Sequence, residues 1–259
     1  MDIGQWIIIG IVAFGASWLT LISGFGLGTL LTPVFLLFFP LPEAIMLTAI
    51  VHVLNNIFKF GLLYKNVNTR LVLLFGLSGI LGAYFGSSLI DSLDTSIAYT
   101  STLPKVPTDV SYFSLAVSVL MILFALQELI WGRFSFKLKS IILIPGGLIS
   151  GFFGGLSGHQ GALRSMFLLK AGLSASAYVA TGTTIALLID FTRIPVYLAS
   201  NDISAATEEC VPLLIATLSA FIGAFIGKRM IAKVTIRLVQ WVVGVLMIAI
   251  ASLMLLGFL

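Results

Sequence analysis

Charged side chains are scarce in this chain, at 9% of the residues, whereas a soluble domain carries about a quarter. Apolar residues make up 59%, and the mean hydropathy is +1.14. So few charges cannot cover the surface of a water-soluble globule. The apolar runs last about 20 residues, which is long enough to cross about 30 Å of hydrocarbon. The composition therefore predicts an all-α integral membrane protein that lies in the lipid bilayer.

Other absences exclude classes of function. Cys210 is the only cysteine, which excludes an intramolecular disulfide and a thiolate metal cluster. The chain has no G-x-x-x-x-G-K-[ST] loop, so we expect no nucleotide hydrolysis. The two histidines form no recognisable set with the scattered Asp and Ser residues, so we expect no enzyme, no metal and no cofactor. The net charge of +4 lies in short loops, which favours a topology signal over nucleic-acid binding.

What the chain does contain is a glycine-rich unit that occurs twice. Residues 21–33 read L-I-S-G-F-G-L-G-T-L-L-T-P, and residues 148–164 read L-I-S-G-F-F-G-G-L-S-G-H-Q-G-A-L-R. A second pair follows, with G-L-S-G-I-L-G-A-Y-F-G at 76–86 and T-L-S-A-F-I-G-A-F-I-G at 217–227. Internal repeats with interrupted apolar segments are typical of secondary transporters, whose site lies where the interruptions meet. We therefore expect two repeats, 1–131 and 132–259, in one transport domain.

The loop charges predict how the repeats cross the membrane. The loops at 65–70, 133–139 and 228–237 are basic and should be cytoplasmic, which leaves the acidic loops at 91–109 and 201–209 outside. Two apolar stretches separate the inner loop at 133–139 from the outer loop at 201–209, so one of them must enter and leave on the same face.

We assign that role to 141–171, which its glycines interrupt, and by symmetry to 5–39. Each repeat is then a broken re-entrant helical hairpin plus three spans, and the two copies are inverted. The predicted spans are 43–64, 71–90 and 111–131, then 173–198, 211–227 and 238–258. Both termini would lie outside a cell membrane. The alternative is that 5–39 is a single kinked span, which places the N-terminus inside.

The doubled S-G-x-x-G-x-G pattern, the Pro that follows the first copy and the G-A-[YF]-x-G helix in each half resemble the sulfite exporter TauE/SafE family. The resemblance covers nearly the whole chain. It implies a permease that moves sulfite or related sulfur-containing organic anions. Residues 158–164, G-H-Q-G-A-L-R, stand where the family more often has a run of glycines, and they mark a subgroup. The alternatives are an anion channel and a carrier of a non-sulfur organic acid.

The proposed hairpin tips are the candidate substrate site. Each returning helix begins at a tip, and a helix start offers free N–H groups and about half a positive charge to an anion. Glycine lets the backbone approach a ligand closely. The candidates are Ser23, Gly24, Gly26, Gly28, Thr29, Gly154, Gly155, Ser157, Gly158, His159, Gln160, Gly161 and Arg164. Arg164 is the strongest single candidate. The alternative is close packing between helices, which we favour for the G-A-[YF]-x-G helices.

Polar side chains in the span that follows each hairpin are candidates for coupling or gating. They are His52, Asn55, Asn56 and Lys59 in the first copy, and Thr184, Asp190 and Arg193 in the second. Those of the first copy share one helical face, and a charge at the bilayer centre costs about 2.5–3.5 kcal/mol, so it should face the interior.

Three of these charged residues have alternative roles. Lys59 and Arg193 could instead extend to the headgroups; if they are functional, they suit anion gathering at opposite mouths. Asp190 should pair with Arg193 or Arg164, and the alternative is that it accepts a coupling proton.

Overall fold

The computed structural model describes residues 2–23, 27–90, 93, 96–103, 107–131, 142–168, 171–200, 210–229 and 236–259. In these ranges the chain is helical apart from one β-hairpin and the connecting turns. The helices are α1 (Ile3–Ser23), α2 (Leu27–Phe35), α3 (Leu41–Leu63), α4 (Thr69–Leu71), α5 (Leu77–Ser88), α6 (Tyr112–Trp131), α7 (Leu143–Ser157), α8 (Gln160–Leu168), α9 (Ala175–Ser200), α10 (Cys210–Lys228) and α11 (Ile236–Leu255). A 3₁₀ turn, Tyr64–Asn66, follows α3, and a π-helical segment, Val72–Gly76, joins α4 to α5.

Several helices are long and apolar enough to cross a membrane. Within the described residues these stretches are Ile3–Thr20, Leu41–Asn66, Thr69–Ser88, Ala175–Ala199 and Cys210–Lys228, and shorter apolar helices occupy Tyr112–Gln127, Leu143–Ser157 and Trp241–Leu255. Large apolar side chains such as Leu81, Phe85 and Leu214 are exposed on the outer faces, where lipid would cover them. The expected all-α membrane fold is confirmed.

Helix α8 folds back along α7, so the second glycine-rich segment reverses the direction of the chain. Gly146 in α7 packs against the ring of Phe167 in α8, and the Ser150 hydroxyl donates to the Gln160 carbonyl oxygen at 3.1 Å. The reversal lies at Gly158, whose φ of 79° is left-handed and therefore favours glycine. Helix α7 has 15 residues and is about 22 Å long, which is shorter than the hydrocarbon core. In the first half α1 packs against α2, and residues 24–26 between them lie outside the described residues.

Two helix pairs are packed backbone to backbone. A Cβ on Gly82 of α5 would overlap the Leu148 carbonyl of α7, and one on Gly151 of α7 would overlap the Gly79 carbonyl of α5. In the same way Gly223 of α10 lies against the Phe14 carbonyl of α1. The close-packing interpretation of the G-A-[YF]-x-G helices is confirmed. In both pairs the contacts advance in the same direction, so the two helices run parallel.

The pairs cross the predicted boundary between the two halves. Helix α1 packs on α10, and α7 packs on α5, so the first element of each predicted repeat meets the third element of the other. Helix α3 packs on α9 and α6 on α11, which joins second to second and fourth to fourth. Helices α3 and α9 are antiparallel, because His52 meets Asp190 whereas the Asn68 amide donates to Thr181 Oγ1 at 2.9 Å.

A short β-hairpin lies in the predicted acidic outer loop, which the all-α expectation missed. Strand β1 (Ile97–Ser101) pairs antiparallel with β2 (Thr108–Ser111). The Ser101 hydroxyl donates to the Leu256 carbonyl oxygen at 2.6 Å, and the Tyr99 hydroxyl donates to that of Leu255. The hairpin therefore packs on the C-terminal end of α11.

Candidate functional site

The start of α2 meets the turn between α7 and α8. A Cβ on Gly28 would lie 3.2 Å from the Gly158 carbonyl oxygen and 3.6 Å from Thr48 Cγ2. On the other side, a Cβ on Gly158 would lie 3.5 Å from Thr32 Oγ1. The two glycine-rich interruptions thus contact each other inside the helix bundle, and α3 covers one side of the contact.

Two helix starts converge at this contact. Helices α2 and α8 have nine residues each, and both begin where the two interruptions meet. The first N–H groups of a helix have no intrahelical acceptor, and the helix dipole places partial positive charge there. The contact between Gly28 and Gly158 is therefore surrounded by amide donors and positive potential, a combination that favours an anion.

Three threonine hydroxyls at this point are buried without a hydrogen-bond partner. Thr29 is 1% exposed and Thr32 and Thr48 are 0% exposed, and each Oγ1 lacks a partner within the described chain. The Nε2 atom of His159 is also buried without a partner. Buried polar groups in proteins are nearly always hydrogen-bonded, and leaving one unsatisfied costs about 1–3 kcal/mol. A polar ligand at the contact would satisfy them.

Asp190 of α9 is the centre of a buried polar network beside the helix starts. Its Oδ2 lies 2.6 Å from His52 Nδ1 and 3.4 Å from Asn56 Nδ2, both on α3. Its Oδ1 accepts from Gln160 Nε2 of α8 at 3.0 Å and from Arg193 Nε at 2.9 Å, and Arg193 Nη2 is 2.8 Å away. The predicted Asp190–Arg193 ion pair is thus present. One carboxylate joins α3, α8 and α9.

Arg193 points into the protein rather than to the headgroups. It is 0% exposed, and its Nη1 donates to the Gly154 carbonyl oxygen at 3.2 Å. Lys59 is also buried, at 3% exposed. The alternative in which both side chains extend to the membrane surface is therefore wrong. The expectation of anion gathering at opposite mouths is also wrong for Arg193, because its charge is held at Asp190.

Lys59 lies in a second polar group, between α3 and α1. Its Nζ donates to Thr20 Oγ1 at 3.0 Å. The Asn55 amide satisfies its neighbours in the orientation that places its oxygen 3.1 Å from Lys59 Nζ and its nitrogen 3.3 Å from the Ala220 carbonyl oxygen. Ser17 Oγ also lies 3.1 Å from Asn55. All of these partners of the ammonium group are neutral.

Arg164 is buried in α8, one turn after Gln160. It is 3% exposed, and its Nη1 donates to Gln160 Oε1 at 3.2 Å. Its Nε packs against Gly182 of α9, where a Cβ would lie 3.4 Å away. Gln160 thus connects the guanidinium to Asp190, because its amide nitrogen donates to the carboxylate while its oxygen accepts from Arg164.

The glycine-interrupted helices and this buried cationic site agree with a comparison with known families, in which the model for sulfite exporter TauE/SafE matches residues 9–254. The chain belongs to the sulfite exporter TauE/SafE family. No curated protein and no solved structure matches it. Family membership and the apolar helices together make it a multi-pass membrane protein of a family of anion exporters, which are transporters and not enzymes.

In this TauE/SafE chain several predicted site residues are packing residues. Gly155 lies against the Ala83 carbonyl of α5, and Gly154 lies against the side chain of Gln160. Close packing, the alternative to ligand binding, thus describes both glycines. Their carbonyl oxygens nevertheless support the site, because that of Gly154 accepts from Arg193 and that of Gly155 accepts from the Tyr197 hydroxyl.

Other predicted residues lie at the edge of the site. Ser157 donates to the Phe153 carbonyl oxygen at 2.9 Å and lies 3.2 Å from His159 Nδ1. Gly161 is buried in the first turn of α8. Thr184 is not part of the polar network, since its hydroxyl bonds back to the Ala180 carbonyl oxygen at 2.9 Å. Gly24, Gly26 and the side chain of Ser23 lie outside the described residues.

Sequence reasoning missed four polar residues that the TauE/SafE chain places around the site: Ser17, Thr20, Thr32 and Tyr197. Two signals were available. Ser17 and Thr20 are polar residues three positions apart on an otherwise apolar helix, and Thr32 follows Gly28 by one helical turn. Tyr197 is likewise one turn beyond Arg193.

Proposed function

We propose that this protein is a secondary transporter of a small anion, sulfite or a related sulfur-containing organic anion, which binds where α2 and α8 begin. The observation that carries the proposal is the contact between Gly28 and Gly158, with two helix starts and the unpartnered hydroxyls of Thr29, Thr32 and Thr48 around it. An anion supplies acceptors for all of these donors. The candidate binding residues retained from the sequence are Gly28, Thr29, Gly158, His159, Gln160, Gly161 and Arg164.

The buried charges support an anionic ligand. Lys59, Arg164 and Arg193 are buried cations, and Asp190 is the one buried carboxylate among the described residues. Three positive charges minus one negative charge leave an excess of two, with the histidines neutral. Burying a charge without a partner is costly. A negatively charged solute offsets that cost and is drawn to the site.

The helix pairing supports alternating access by two inverted repeats, 1–131 and 132–259. The contacts of α1 with α10 match those of α7 with α5, and α3 lies antiparallel to its counterpart α9. Such an exchange of partners is expected when two copies are related by an axis in the membrane plane. In this proposal the interruptions lie near the bilayer midplane, and both termini are outside the cell membrane.

The His52–Asp190 pair is the proposed site of a coupling proton. His52 is a side chain that can change charge near neutral pH, and it lies against a carboxylate that also holds Gln160 and Arg193. Movement of a proton at His52 would change the net charge beside the anion site. That change would couple proton movement to the affinity for the anion.

Reconstituted protein tests the proposal. Proteoliposomes are loaded with a radiolabelled panel of sulfite, thiosulfate, methanesulfonate and small carboxylates, at two opposite pH gradients. We expect saturable flux of at least one sulfur anion, and accumulation against its own gradient under one pH gradient. Flux that never saturates and only follows the anion gradient would instead indicate a channel. Flux of carboxylates alone would indicate an organic-acid carrier.

A further inference from the structure

Lys59 and Arg164 lie on the same side of Asp190. The antiparallel helices α3 and α9 run from the His52–Asp190 contact to the Asn68–Thr181 contact. Lys59 is seven residues beyond His52 in that direction, about 10 Å along α3. Arg164 packs on Gly182, which is eight residues from Asp190 in the same direction, about 12 Å along α9. The two cations are therefore at a similar depth.

Neither cation has an acidic partner in the described part of the chain. The polar contacts of Lys59 are Thr20 and Asn55, and that of Arg164 is the Gln160 amide oxygen. The ion pairs found there both involve Asp190, with His52 and with Arg193. Lys59 and Arg164 also repel each other electrostatically. Two buried like charges without an acid between them are unfavourable unless an anion joins them.

We propose that Lys59 and Arg164 together form a clamp for a doubly charged oxyanion, on the α3 C-terminal side of the Asp190 network. The inference rests on the proposed function and assigns the charge class of its substrate. Arg164 offers a planar fork that matches two oxygens of an oxyanion, and Lys59 offers a mobile point charge to a third. Thr20 and Asn55 hold the ammonium group in place.

The charge balance sets the preference for two negative charges. Arg193 is already neutralised by Asp190, so it adds no net charge for a ligand to meet. A monoanion would leave one of the two remaining cations without a counter-charge. A dianion compensates both. The clamp therefore favours solutes such as sulfate and thiosulfate over a singly charged sulfonate.

Binding to the purified full chain in lipid nanodiscs tests the clamp. Titration calorimetry is run with sulfate and thiosulfate as dianions and methanesulfonate as a monoanion. In the wild type we expect the tighter dianion to bind at least about 10-fold more strongly than methanesulfonate. In Lys59→Gln and in Arg164→Gln that ratio should fall to about one, because each variant removes one unit of charge and keeps a hydrogen-bonding group. Lys59→Arg should retain the wild-type preference.

Lys65→Gln is the matched control, because Lys65 is an exposed basic residue on the turn after α3, and its ratio should equal that of the wild type. A wild-type ratio near one would overturn the clamp even if the glutamine variants fail to fold. An undiminished ratio in folded Lys59→Gln would overturn the role of Lys59. Saturable anion uptake together with either result would leave the proposed transport intact and remove the clamp alone.

Discussion

The Nδ1 atom of His52 lies 2.6 Å from Oδ2 of Asp190, and the contact joins α3 of the first half to α9 of the second. The predicted interruptions meet close by, since His52 Cδ2 lies 4.0 Å from the position that a Cβ on Gly28 would take. The centre of the protein is thus built from both halves. Changes at this centre should affect folding and transport in ways that can be separated.

Asp190→Asn should lower both stability and transport. The substitution keeps the size of the side chain but leaves Arg193 buried without its counter-charge, which costs about 3–5 kcal/mol when a buried pair is broken. Thermal unfolding in detergent should show a lower midpoint, and uptake of the best panel anion should be largely lost. The control is Asp109→Asn, on the exposed strand β2. Equal midpoints for the two variants would contradict a central role of Asp190.

Thr48→Val should separate binding from folding. The Thr48 hydroxyl has no partner within the described protein, so its removal relieves an unsatisfied group worth about 1 kcal/mol. We expect the unfolding midpoint to stay level or rise, while anion affinity falls by about 10-fold. Calorimetry and thermal unfolding on the same sample measure both. Thr192→Val is the control, because the Thr192 hydroxyl bonds to its own helix. Unchanged affinity in Thr48→Val would exclude that hydroxyl as a ligand.

Gly158→Ala should impair transport far more than Gly172→Ala. Both glycines have a positive φ, 79° and 69°, so each alanine carries a strain of about 1–2 kcal/mol. At Gly172 a Cβ meets nothing within 4 Å, whereas at Gly158 it lies 3.3 Å from Arg193 Nη1. Initial uptake rates of the two variants are compared. Similar losses in both would show that backbone strain, and not the site, is responsible.

Gly82→Ala should weaken the α5–α7 pair. Its Cβ would overlap the Leu148 carbonyl oxygen, which is backbone and cannot turn away. We expect a clear fall in the unfolding midpoint and less protein in the membrane fraction. Gly61→Ala in α3 is the control, since its Cβ would have no neighbour within 4 Å. A midpoint equal to that of Gly61→Ala would mean that the helices separate easily.

The helix interruption at Gly158 could be predicted from the sequence because its signal is local. The stretch 141–171 contains closely spaced glycines followed by His and Gln, and the structure breaks it into α7 and α8 at Gly158 and His159. The polar face of α3 was also predictable, because His52, Asn55, Asn56 and Lys59 recur at steps of three and four residues. These features depend only on residues within one segment.

The partners of the charged residues could not be predicted in this way. Periodicity gives the face on which Lys59 lies but not the helix opposite to it, so Thr20 and Asn55 were unassigned as its contacts. In the same way, the placement of Arg193 against Gly154 depends on how the two halves pack. The β-hairpin had a local signal that was missed, the β-branched and aromatic residues at 97–101 and 108–111.

The pairing of α1 with α10 has a consequence for how the protein is made. The partner of α1 is synthesised about 200 residues later, at Cys210–Lys228, so during translation α1 is in the membrane long before Gly223 can cover its backbone. Assembly is therefore completed only after nearly the whole chain has left the ribosome. A truncated polypeptide that ends before α10 would leave α1 without its neighbour and would be a substrate for membrane quality control.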